Sequence, residues 1–171
     1  MKNLNATRRA CRGIVPAGET ETIRFTSPAM DADAMLKWRL NRNGSGTDWT
    51  ATLGVVGGSS VVVIPGDELT PIQSALVEVE VIQDPDESGN AWATWETTDY
   101  SIGPTVNNAA VTVPVVDGNV NIPQSQTYAG QPIKAGEDLL AGVDMAAANV
   151  WELVITAGGS PCEYGVRFSV E

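Results

Sequence analysis

The stretch LVEVEVIQDPDESGNAWATWETTDYSI, residues 76–102, has the pattern of a β-hairpin. Val77, Val79 and Val81 alternate with Glu78 and Glu80, so an extended strand here has one apolar and one charged face. DPDESGN then supplies a proline, acidic side chains and a glycine, the chemistry of a turn. The return strand AWATWETTDYSI is rich in aromatic and β-branched residues.

Working outward, the same period recurs along the chain. GETETIRFTS sets Ile23 and Phe25 on one face. MLKWRLNR sets Leu36, Trp38 and Leu40 against Lys37 and Arg39. TDWTATLG aligns Trp49, Ala51 and Leu53. NGSG (residues 43–46) and Gly57-Gly58 mark turns. SSVVVIP is an unbroken apolar strand, expected to be buried on both sides or at an interface, and DELTP suggests one helical turn or a crossover. About seven strands between residues 12 and 102 suit an immunoglobulin-like sandwich.

Beyond residue 106 the expectation is further β-hairpins. One turns at Asp117-Gly118-Asn119, and another is formed by NVWELVITAGGSPCEYGVRFSVE, in which Trp151, Leu153 and Ile155 share a face. Residues 124–149 read as a long loop with one helical turn, of the kind a partner often clamps. Residues 1–16 read as a basic arm, residues 17–106 as a β-sandwich domain, and residues 107–171 as C-terminal hairpins that could belong to the same unit. The expected class is all-β, an antiparallel immunoglobulin-like or jelly-roll-like sandwich.

Composition narrows function. The chain of 171 residues is 43% hydrophobic and 18% charged, and it contains no histidine. The usual general base, metal ligand and triad base are thereby missing, which argues against an enzyme. The N-terminus has basic residues but no apolar core, so it does not read as a secretory signal, and no apolar run is long enough for a membrane span. Cys11 and Cys162 do not form a metal motif and are expected as free thiols, unless the first and last strands are neighbours and allow a bridge.

The net charge of −11 is unevenly spread. Residues 1–42 hold eight Lys and Arg against four acids, a net +4, whereas residues 43–171 hold two against seventeen, a net −15. Such asymmetry implies two surfaces with different neighbours. The acidic body argues against nucleic acid, and the basic end suits an acidic partner such as another copy of the chain.

Candidate contact residues follow from these patterns. Arg8, Arg9, Arg12 and the apolar Ile14 lie in the basic N-terminal stretch. Trp92 and Trp95 are an odd number of residues apart on one strand, so one should enter the core and the other face outward. Tyr128, Leu139 and Leu140 are large apolar residues within the 124–149 segment. Asp84, Asp86 and Glu87 resemble a calcium loop only faintly, because the closing bidentate glutamate is missing. No metal, cofactor or catalytic residue is implied.

The order GETETIRF, an alternating strand, an apolar strand, DELTPIQSA and then LVEVEVIQDPDESGNAWATWETTDYSIGPTV resembles the immunoglobulin-like β-sandwich of tailed-bacteriophage structural proteins, notably the N-terminal domain of upper-baseplate proteins. The resemblance covers about residues 17–106 and departs after them. It implies a virion structural protein made in a host cytoplasm, with copies of itself and other virion proteins as partners, in a baseplate, tail-appendage or head-decoration position. The alternative is a carbohydrate-binding or adhesive module that uses Trp92 or Trp95 as a stacking platform.

Overall fold

The computed structural model describes residues 1–5, 8–43, 49–64, 72–102, 111–115, 118–122, 127–128 and 134–171, with side chains for 1–5, 8–41, 49–64, 76–96 and 136–171. The strands are β1 (Lys2–Leu4), β2 (Ala10–Val15), β3 (Thr20–Ser27), β4 (Met35–Asn43), β5 (Thr50–Val55), β6 (Ser60–Ile64) and β7 (Ile72–Gln83). They continue with β8 (Ala91–Ile102), β9 (Val111–Val115), β10 (Gly118–Ile122), β11 (Thr127–Tyr128), β12 (Lys134–Leu140), β13 (Asn149–Thr156) and β14 (Cys162–Val170). Among the described residues there is no helix.

Two sheets form an all-β sandwich. The smaller has the order β1-β3-β13-β5-β6. The larger runs β11-β8-β7-β4-β14-β2, with β12 also paired to β8. β9 and β10 make a separate two-stranded hairpin. The 76–102 hairpin is present as β7 and β8, antiparallel, with Val79 opposite Trp95 and Val81 opposite Ala93. Its turn needs Gly89 at φ 84°, a conformation costly for other residues. The turn also anchors the chain after β12: Asn90 Oδ1 accepts the Gly142 amide at 2.8 Å, and Gln83 Oε1 accepts that of Met145 at 3.2 Å.

The chain repeatedly changes sheet. β1, β3, β5, β6 and β13 belong to one sheet, and β2, β4, β7, β8, β12 and β14 to the other. Each of these strands needs an apolar face toward the same interior, and several supply it by strict alternation. Ile23 and Phe25, Leu36 with Trp38 and Leu40, Ala51 with Leu53, Trp151 with Leu153 and Ile155, and Tyr164 with Val166 and Phe168 are all buried. Phe25 of the smaller sheet meets Phe168 of the larger at a centroid separation of 3.4 Å, and Trp38 stands edge-on to Phe25 at 6.3 Å. Beside them the Trp151 indole N–H donates to the buried Ser27 hydroxyl at 3.0 Å.

Several expectations are corrected. The N-terminal stretch is not an arm, since β1 pairs in parallel with β3 and β2 pairs with β14. In the described part of the 124–149 segment the expected helical turn is replaced by strand β12, which pairs with β8 along its whole length. The last two strands do not form a hairpin, because β13 lies between β3 and β5 whereas β14 lies between β4 and β2 in the opposite sheet. In SSVVVIP, Val61, Val63 and Ile64 are buried but Val62 is exposed, so the strand is covered on one side only. The NGSG turn beyond Asn43 and the DELTP connection fall outside the described residues.

The strands that carry the two cysteines, β2 and β14, are neighbours, yet no disulfide joins them. Cys11 stands opposite Val166 and Cys162 opposite Val15. That four-residue offset is about 13 Å of strand, beyond the roughly 7 Å limit between Cα atoms for a disulfide.

The aromatic contact between sheets yields a direct test. Phe168→Ala is expected to lower the unfolding free energy by about 3–5 kcal/mol. Urea titration should show an earlier midpoint with an unchanged slope; an unchanged midpoint would mean that the sheets are held elsewhere.

Candidate functional site

The outward residues of the larger sheet form one continuous face, whose rows follow from the strand register. Met35, Ile82, Trp92 and Leu139 stand side by side on β4, β7, β8 and β12. Ile82 and Leu139 are each 36% exposed, and Trp92 between them is half-buried. Four apolar side chains in an outward row are unusual on a sheet face that otherwise carries charge. The next rows are Lys37, Glu80, Thr94 and Glu137, then Arg39, Glu78 and Glu96.

Trp95 points the other way, as the odd spacing requires. It packs against the core, and its indole lies over Gly136 of β12, where a Cβ would come 2.5 Å from the Trp95 ring. A glycine facing a tryptophan lets the ring cover the neighbouring backbone. Leu140 is completely buried. Neither residue is therefore available for an outward contact, which corrects their selection as interface candidates. Tyr128 lies in β11 opposite Tyr100, and its side chain falls outside the described set.

The charges on this face divide by strand. Among the described side chains β2, β14 and β4 contribute Arg12, Arg167, Lys37 and Arg39, with Glu163 of β14 the exception in sign, whereas β7, β8 and β12 contribute Glu78, Glu80, Glu96 and Glu137. Ion pairs join the two halves at the β4–β7 boundary. Lys37 Nζ lies 3.2 Å from Glu80 and 3.5 Å from Glu78, and Arg39 Nε lies 3.1 Å from Glu78. The hydrogen bond to Glu80 raises the Lys37 pKa against the opposing effect of burial. Exposed pairs of this kind contribute about 0.2–1 kcal/mol each, so their main effect is register and charge placement.

At the β2 edge, Arg8, Arg12 and Arg167 surround a groove of about 620 Å³. Gly165 lies on its floor, and Asn41 and Glu163 also line it. Among the described residues these three arginines form no ion pair. Arg9, just ahead of β2, is exposed, and its carbonyl accepts the Phe168 amide at 3.0 Å. Ile14 is 65% exposed and lies on the same face of β2 as Arg12. The sequence alone did not single out Arg167; it becomes relevant only because β14 runs beside β2.

Lys2 was also missed. Its Nζ donates to the Tyr164 hydroxyl at 2.7 Å and to the Arg12 carbonyl at 2.8 Å, so a side chain from the smaller sheet caps the edge of the larger one. Burial opposes the Lys2 charge, but the Tyr164 hydrogen bond and the surrounding Tyr164, Cys11 and Glu21 groups raise its pKa overall. Burial likewise raises the Tyr164 and Cys11 pKa values. Cys11 therefore stays a thiol at neutral pH and is a weak nucleophile.

Two outcomes are expected from these local contacts. Lys2→Met removes a donor from the buried Tyr164 hydroxyl and should cost about 1–3 kcal/mol in chemical denaturation. With Lys2 and Tyr164 both raised on folding, this contribution is complete below the ordinary lysine range and is lost as pH rises through the folded values. A stability gap between wild type and variant that persisted undiminished into strong alkali would contradict the assignment. Separately, Gly136→Val must displace Trp95, costing about 1–3 kcal/mol and shifting its fluorescence to the red.

No family model and no curated protein matches the sequence. A solved structure titled "CorA is a surface-associated copper-binding protein important in Methylomicrobium album BG8 copper acquisition" aligns with 99% of this chain and 97% of its own, at 9% identity and a TM-score of 0.39. A likeness this slight says nothing of what the present chain binds.

Proposed function

We propose that this chain is a non-enzymatic structural protein of a bacteriophage virion, of the baseplate, tail-appendage or head-decoration kind, that acts through subunit interfaces. The observation that carries the assembly part of this reading is the outward row Met35–Ile82–Trp92–Leu139. A half-buried tryptophan between two exposed aliphatic side chains has the make-up of an interface anchor, because covering it removes apolar surface from water at little cost in side-chain entropy. The charged rows beside it supply orientation. A stable contact of this kind buries on the order of 1,200–2,000 Å². The phage setting rests on the sequence pattern of residues 17–106.

The second reading, a carbohydrate-binding module, is favoured by the same Trp92, which faces outward where a sugar ring could stack. Trp95 does not serve that reading, because its ring is taken up by Gly136 and the core.

Light scattering across a concentration series separates the two. The assembly reading expects a defined oligomer or growing species, and Trp92→Ser should weaken association at least tenfold while leaving the fold intact. A protein that stays monomeric at every concentration and is retarded in glycan-containing gels would overturn it. Point variants are the suitable probe: deleting residues 1–16 would remove β1 and β2 from both sheets.

A further inference from the structure

The opposite edges of the larger sheet carry opposite charge. We infer that the arginine groove at the β2 edge of one protomer receives Glu137 on β12 of a second copy, joining subunits head to tail. This rests on the assembly reading above and names the two surfaces that meet.

The groove is built to accept carboxylates. Arg8, Arg12 and Arg167 surround it, and Glu163 at its rim leaves the guanidiniums in excess. Among the described side chains the other strand bases are engaged: Arg24 pairs with Glu152 at 2.8 Å, Lys37 and Arg39 pair with the β7 glutamates, and Lys2 donates to Tyr164. At the far edge Glu137 is exposed on β12, and among the described residues it has no cationic partner. Apolar neighbours match as well, since Ile14 lies two residues beyond Arg12 on one edge and Leu139 two beyond Glu137 on the other.

Within one copy the two surfaces cannot meet, because β8, β7, β4 and β14 lie between them. A two-fold contact of either edge with itself would set like charges opposite each other. The remaining arrangement is heterologous, which closes into a ring or grows as a filament according to the rotation per subunit. The contact is made by side chains. Lys2 Nζ already occupies the Arg12 carbonyl that would continue the backbone ladder, which guards the edge against indiscriminate strand pairing. Nucleic acid is a poorer occupant than a second copy, because the net −15 of residues 43–171 repels phosphate and supplies the carboxylates.

Charge-swap sedimentation tests this. Wild type should form species larger than a monomer at low salt, and association should weaken at least tenfold at about 0.5 M salt, where screening is strong. Arg12→Glu and Glu137→Arg should each be monomeric alone, since the first leaves the groove with no net charge (Arg8 and Arg167 against Glu163 and the introduced carboxylate) and the second sets an arginine against the groove arginines. An equimolar mixture should pair again, because the unaltered groove of the Glu137→Arg protomer meets the unaltered edge of the Arg12→Glu protomer. Gly165→Val offers an uncharged check. A Cβ there meets only Asn41, at 4.0 Å, so the fold tolerates a side chain that fills the groove floor, and assembly should be lost. Wild-type-like assembly by all three variants would overturn this contact while leaving the interface reading standing. A wild type that is monomeric throughout would overturn both. Retention of duplex DNA by wild type, lost in Arg12→Glu and without self-association, would assign the groove to phosphate instead.

Discussion

The structure depends on the contact of Phe25, from one sheet, with Trp38 and Phe168, from the other. Consecutive strands seldom pair with each other here. The chain passes from β2 to β3, from β3 to β4, from β4 to β5 and from β13 to β14 by crossing the sandwich. Local hairpins therefore cannot account for its cohesion, and the sheets are joined by side chains interdigitating across their shared interior. The Trp38 indole N–H lacks an acceptor among the described residues. Leaving such a group buried and unpaired costs about 1–3 kcal/mol, which the surrounding apolar burial offsets.

Interior packing of this kind constrains the exterior. Once Val77, Val79 and Val81 face inward, the intervening residues Glu78, Glu80 and Ile82 must face outward. The same holds for Lys37 and Arg39 between Leu36, Trp38 and Leu40, and for Glu163, Gly165 and Arg167 between Cys162, Tyr164, Val166 and Phe168. The charge asymmetry between the two parts of the sequence thus becomes a spatial one. Basic strands gather at one edge of the larger sheet and acidic strands at the other, joined along the β4–β7 boundary by ion pairs.

That arrangement suits a protein whose activity is contact. In the proposed assembly the outward apolar row would contribute burial and the edges direction, a division of labour common in interfaces where charge sets orientation and a few anchors hold the partner. The Lys2 bridge fits the same picture, because it holds the N-terminal strand to Tyr164 and blunts an edge that would otherwise offer free backbone groups.

Period-two alternation was enough to determine the all-β class, the β7–β8 hairpin and the inward residues of β3, β4, β5 and β13, because alternation is a local property of each strand. The opposite orientations of Trp92 and Trp95 were legible for the same reason. Which strands are neighbours was not, since pairing across the sandwich depends on contacts between residues far apart in the chain. Hence the hairpin expected of β13 and β14 became two strands in different sheets, the arm became two edge strands, and Gly136 became the seat of Trp95. The sequence by itself determined that residues 76–102 fold back as a strand pair with one charged face. Only the tertiary structure decided that this face continues Leu139 on one side and the Arg12–Arg167 groove on the other, because a sheet's surface is composed by its register.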